Sequence, residues 1–124
     1  MAITKFDPAA VTEDEICAAA SDRNGAIKLI RAALRARSGK SWSVIGDRGS
    51  AWGWISIKSP PARAADQWGS LTEAEAAELG ELLGYDRPVH HQGEDIPASA
   101  DHRRGMIQRA LGRPRPFTAG SYWD

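Results

Sequence analysis

The sequence predicts an α+β fold: a small antiparallel sheet, built on a tryptophan-rich hairpin, packed against about four helices. Three observations carry this. Trp42-Ser43-Val44-Ile45 and Trp52-Gly53-Trp54-Ile55-Ser56-Ile57 are runs of β-forming residues around the turn Gly46-Asp47-Arg48-Gly49-Ser50. Ile27, Ile30 and Leu34 repeat at helical spacing before the hairpin, as do Ala76, Leu79, Leu82 and Leu83 after it. With 124 residues, 42% hydrophobic and 26% charged, the chain is sized for one domain with a real core.

Each element has a local reason. Asp7-Pro8 suits a helix start, because proline is tolerated in the first turn and an acid favours the positive helix end. A first helix is therefore expected from there to about Ala20, with Cys17 as a buried structural thiol. Ser21-Asp22-Arg23-Asn24-Gly25 is a break rich in capping residues. A second helix follows over about 26–37, ended by Ser38-Gly39. Ser59-Pro60-Pro61 stops the second strand. Thr72 opens a third helix as a capping box, with Glu75 returning the hydrogen bond. Glu73, Glu75, Glu78 and Glu81 make its surface acidic, and Gly84 ends it. A short strand is expected at 89–91. A fourth helix starts at Ser99 or Asp101 and runs to Gly112. Two strands alone are marginal, so a third strand or a homodimer partner is expected. Residues 1–112 are read as one domain and 113–124 as an extended tail.

Membrane and secretory classes are not indicated. The apolar stretches are only a few residues long, and MAITKFDPAAVTEDE lacks the basic flank and apolar centre of a signal peptide. The single cysteine cannot form an internal disulfide. The expectation is a cytoplasmic protein without a membrane partner.

The formal charge of zero hides four blocks. Residues 1–22 sum to about −4 and residues 23–63 to about +8. Residues 64–101 sum to about −8 and residues 102–124 to about +4. Either these blocks neutralise one another inside the fold, or they steer partners to different faces.

Motifs that would carry catalysis are weak. Ser38-Gly39-Lys40-Ser41 ends like a phosphate-binding loop, but Leu34 stands where that motif needs its leading glycine, and a helix precedes it. Lys40 is then a solvated residue in a helix-to-strand turn. His90, His91 and His102 lie near Glu94, Asp95 and Asp101, yet no spacing matches a metal pattern. No catalytic residue, metal or cofactor is assigned.

The binding candidates are clearer. Strand alternation puts Trp52, Trp54, Ser56 and Lys58 on one face and Ile55 and Ile57 on the other. If the isoleucines face the helices, the tryptophans stand outside near Arg48, and Trp42 could join them. Aromatic rings beside cations form a stacking platform for unpaired bases. Lys28, Arg31 and Arg35 line one helix face, and Arg103-Arg104 add a second basic pair; both suit phosphate. Alternatively the tryptophans belong to the core, and the arginines pair with the glutamates of the third helix. The tail aromatics Phe117, Tyr122 and Trp123 are expected to dock onto their own domain or else to anchor a partner; for a protein partner the candidates are Glu75 and Glu78 with Tyr122 and Trp123.

The run Ile30-Arg-Ala-Ala-Leu-Arg-Ala-Arg-Ser-Gly-Lys-Ser-Trp-Ser-Val, then Gly46-Asp-Arg-Gly-Ser-Ala-Trp-Gly-Trp-Ile, resembles a group of small uncharacterised bacterial proteins. More distantly it is similar to domains associated with large polyvalent proteins of phages and conjugative elements. The resemblance covers roughly a quarter of the chain and carries no catalytic residue. It implies a phage or mobile-element context. The expected function is a non-enzymatic module binding nucleic acid or a nucleoprotein complex. The alternative is a protein-only inhibitor or adaptor of anti-defence type.

Overall fold

The computed structural model describes residues 6–49 and 53–113. Within them the fold is α+β: four α-helices and one three-stranded antiparallel sheet of order β1-β2-β3. Helix α1 spans Glu13–Ala20, α2 Arg23–Ser38, α3 Glu73–Leu82 and α4 Ala100–Ala110. Strand β1 spans Ser43–Gly46, β2 Ile55–Lys58 and β3 Glu94–Ile96. The chain thus supplies its own third strand. Trp52 and the tail residues Phe117, Tyr122 and Trp123 lie outside the described residues. No helix among those described is long and apolar enough to cross a membrane.

The expected first helix is in fact two pieces. Asp7 caps a single 3-10 turn at Pro8–Ala10, Val11 is extended, and α1 begins after Thr12. Thr12 forms a full capping box: its hydroxyl accepts from the Glu15 N–H at 3.1 Å, and Glu15 Oε1 accepts from the Thr12 N–H at 2.8 Å. Satisfying two orphan donors there outweighs continuing the turn from Pro8. Ile16 and Ala20 form the buried stripe of α1, which leaves Cys17 exposed rather than buried. Helix α2 starts at Arg23 because the Asp22 carboxylate accepts from the Gly25 N–H at 3.0 Å. It ends where Gly39 takes the left-handed conformation, φ 75°.

The core lies between the helices and one face of the sheet. Ile16, Ile30, Leu34, Val44, Ile55, Ile57, Leu71, Leu79, Leu83, Ile96 and Ile107 are its largest fully buried aliphatics. Val44 pairs with Ile57 and Ile55 with Ile96, so the inner face is apolar across all three strands except at Glu94, the β3 partner of Ile57. Trp42 is 3% exposed and joins this core, with Ser38 Oγ accepting from its ring N–H at 3.1 Å. It therefore does not stand on the outer face. The expected strand at 89–91 is a turn instead: Val89 is buried and its N–H donates to Ala76 O, while Leu71 N–H donates to His91 O. The third strand forms a few residues later, at 94–96.

One close approach fixes α3 against the loop that follows it. A Cβ on Gly80 would lie 2.3 Å from the Arg87 carbonyl oxygen and 3.0 Å from the Pro88 Cα, both backbone atoms. Helix propensity alone favours alanine over glycine by about 1 kcal/mol. The collision works against it and displaces a loop. Gly80→Ala is expected to destabilise the fold by about 1–3 kcal/mol, read as a lower denaturant midpoint; an unchanged or raised midpoint would refute the packing argument.

Candidate nucleic-acid interface

Helix α2 carries no acidic side chain, and its solvent face presents Lys28, Arg31 and Arg35, all exposed. Their spacing of three and four residues stacks them along one side of the helix. Two of them also bond to the segment that follows the helix. Arg31 Nη2 donates to Val44 O at 2.7 Å, on the outer edge of β1, and Arg35 donates to Ser41 Oγ. Arg23 donates to Asp47 O at 3.0 Å at the end of the same edge. Each guanidinium has five N–H donors in a planar fork, so one such bond leaves others turned to solvent. Among the described residues no ion pair is made by Lys28, Arg31, Arg35 or Arg48.

The outer face of the sheet is only partly the platform the alternation suggests. Trp54, just before β2, is 40% exposed, and Ile45 on β1 is 49% exposed. Asp47 N–H donates to Trp54 O at 2.9 Å, so the two residues lie opposite each other. The centre of the face is acidic. Ile45, Ser56 and Asp95 form one row across the three strands, and the Ser56 hydroxyl lies 2.9 Å from Asp47 Oδ1 and 2.9 Å from Asp95 Oδ1. Lys58 is half-buried, its stem packed beside Gly69 and Gly93 and its charge acting on Asp66. It does not stand next to Trp54. Among the described residues the most exposed tryptophan is one that strand alternation could not find: Trp68, 70% exposed. It sits in a turn whose Trp68 and Ser70 N–H groups both donate to Asp66 Oδ1.

The other candidates separate. Arg103 turns inward, its Nε donating to Ala20 O at 2.7 Å at the end of α1, and Arg104 Nε is buried without a hydrogen-bond partner among the described residues. Glu75 is not part of an acidic surface: it is 7% exposed. The Thr72 cap is half a capping box, since Thr72 Oγ1 accepts from the Glu75 N–H at 3.2 Å while the Glu75 carboxylate turns inward. There it accepts from Arg63 Nε at 2.7 Å and Ser59 Oγ at 3.2 Å, with Lys40 Nζ at 3.6 Å. Lys40 also pairs with Glu78 at 2.8 Å, so it is not merely solvated and Glu78 is not a free surface charge. Arg63 lies over the Trp42 ring, 5.1 Å from its centroid. Here the basic and acidic blocks do neutralise each other, at one junction between α2, β1 and α3. His90 and His91 are exposed in a turn, His102 lies on α4, and no group of three metal-binding side chains forms among the described residues.

Burial pushes the Glu75 carboxyl up, but Arg63, Lys40 and Ser59 together outweigh it and hold the group below its ordinary value of 4.5. A depressed carboxylate adds stability above its unfolded pKa and loses it as pH falls through the folded value. The stability gap between the wild type and Glu75→Gln is therefore expected to be full at neutral pH and to close as pH drops below about 4.5. Thermal melts across that range check this; a gap independent of pH would refute it. A hydroxyl has one hydrogen, so Ser56 cannot donate to Asp47 and Asp95 at once. Asp95→Asn adds a donor and removes a like charge. A stabilisation of about 0.5–1 kcal/mol is expected in thermal melts, against a loss if both carboxylates are needed.

No protein-family model matches the chain, and no curated protein or solved structure matches it.

Proposed function

We propose that the protein is a non-enzymatic binding module that contacts nucleic acid, or a nucleoprotein complex, through the basic face of α2. A phage or mobile-element setting accords with the resemblance of residues 30–55. One observation carries the proposal: Lys28, Arg31 and Arg35 are exposed in a row, and no described acid neutralises them. A row of cations on a rigid helix suits a phosphate backbone, where each contact releases counterions. Trp54 adds an aromatic surface on the sheet, beyond β1 from that row. The carboxylates of Asp47 and Asp95 disfavour phosphates crossing the sheet itself. The backbone would therefore follow the helix and the β1 edge, with a base turned over the strand onto Trp54.

The acidic-helix reading has less support. Glu75 is buried, Glu78 is paired with Lys40, and only Glu73 and Glu81 remain exposed from that set.

Titration with single- and double-stranded oligonucleotides at two salt concentrations, followed by tryptophan fluorescence, tests the proposal. Binding should weaken steeply with salt. Lys28→Ala is the cleanest probe, because Lys28 makes no side-chain hydrogen bond or ion pair among the described residues. It should lower the slope of log K against log salt by about 0.7–0.9. Trp54→Ala should cost roughly 1–3 kcal/mol on single strands. Absence of binding at low salt, or affinity indifferent to Lys28→Ala and Arg35→Ala together, overturns it.

A further inference from the structure

A cleft of about 660 Å³ opens between the Gly84–Arg87 turn, β3 and one face of α4. This lies in the size range of small-molecule sites, roughly 300–1,000 Å³. His102, Gly105, Met106 and Arg109 share that face of the helix by their spacing. Buried Ile96 and Met106 give the cleft an apolar floor. Gly105 leaves it open: a Cβ built there meets nothing within 4 Å.

The polar lining is organised around Tyr85. Its hydroxyl donates to Glu94 Oε2, and its ring is flanked by the guanidinium groups of Arg109 and Arg87, 4.5 and 5.3 Å from the centroid. Arg109 Nη1 also donates to Leu83 O at 3.0 Å. Both lining arginines are thus engaged with the wall. Four carboxylates line the same cleft, Asp86, Glu94, Asp95 and Asp101. Asp95 turns its oxygen to Ser56 on the outer face, whereas Glu94 lies on the inner face of β3 beside Ile57. Tyr85 takes one Glu94 oxygen, and Oε1 has no hydrogen-bond partner among the described residues. Burial, with Asp95 beside it, pushes the pKa of that carboxyl up by more than the Tyr85 hydroxyl, Arg87 and Arg109 pull it down, so a cation bound directly at Oε1 would relieve the desolvation cost that remains.

We propose that this cleft binds an organic cation, the ammonium or guanidinium head of a small amine or of a basic peptide side chain. Glu94 Oε1 and Asp101 accept from the head, and Ile96 and Met106 take the aliphatic stem. An anion would face an excess of carboxylates. The site is separate from α2 and does not depend on the nucleic-acid reading.

The test is an NMR titration of the full chain with agmatine, with the peptide acetyl-Gly-Arg-Gly-amide, and with uncharged N-butylurea. Saturable shifts at the Gly105 and Met106 amides are expected with the charged probes at about millimolar concentration. Urea should leave them unmoved. Equal binding of agmatine and the peptide assigns the site to a free amine, and much tighter peptide binding assigns it to a protein segment. Gly105→Leu places a side chain in the open space and should abolish the shifts while the melting temperature holds. Glu94→Gln keeps an acceptor for Tyr85 and should weaken binding about ten-fold; it decides the matter should Gly105→Leu not fold. No saturation with either charged probe, equal shifts with N-butylurea, or binding unchanged in Glu94→Gln overturns the proposal.

Discussion

The structure depends on guanidinium groups donating to backbone carbonyls. A helix leaves its last carbonyls without partners, and a short sheet leaves an edge of them. Here arginines distant in sequence fill these positions. Arg37 Nη1 donates to Leu82 O at 2.6 Å and Ala110 O at 2.9 Å, tying the ends of α3 and α4 to the end of α2. Arg103 does the same for α1, and Arg109 for the residue after α3. Arg31 and Arg23 serve β1, Arg63 serves Ser41, and Arg113 reaches Pro8 O and Val11 O. Removing such a charged donor leaves a carbonyl unmet, at about 1.5–3 kcal/mol for a hydrogen bond of this kind.

This changes how the charge blocks are understood. Paired carboxylates account for little of the basic block at 23–63, chiefly through Lys40 and Arg63. Arg31, Arg35 and Arg37 bond neutral oxygens and make no ion pair among the described residues, which leaves their charge uncancelled there. One side chain can therefore hold the fold and still present a positive potential to solvent. Arg31 and Arg35 combine both roles, whereas Lys28 has only the second.

Much of the fold was legible in the sequence. The isoleucine and leucine spacing of α2, the hairpin alternation and the Gly39 stop all concern neighbours along the chain, and local chemistry decides them. Thr12 and Glu15 also carried a legible signal, a second capping box, which the proline at position 8 obscured. Other features were out of reach. The inward turn of Glu75 needs Arg63 and Ser59 brought beside it by the fold. The burial of Trp42 stood in the sequence as one of two alternatives, decided in the structure by its ring bond to Ser38 and by Arg63 over its face. The cleft joins residues 84–87, 94–97 and 101–109, whose meeting no local pattern encodes. Of the candidate interface, the α2 row was readable because helical spacing sets it. The acidic centre of the sheet was not, because it depends on β3 lying next to β2.

The two edges of the sheet are unlike. On β1 the outward carbonyl of Val44 is already bonded to Arg31, and cations line that side. Strand β3 pairs with β2 alone. An antiparallel ladder turns successive residues alternately toward and away from the partner strand, so β3 keeps outward backbone groups with no strand to meet them. Among the described residues the β1 edge is thus capped by an arginine donor, and β3 is the edge whose outward backbone groups are left for a further strand to meet.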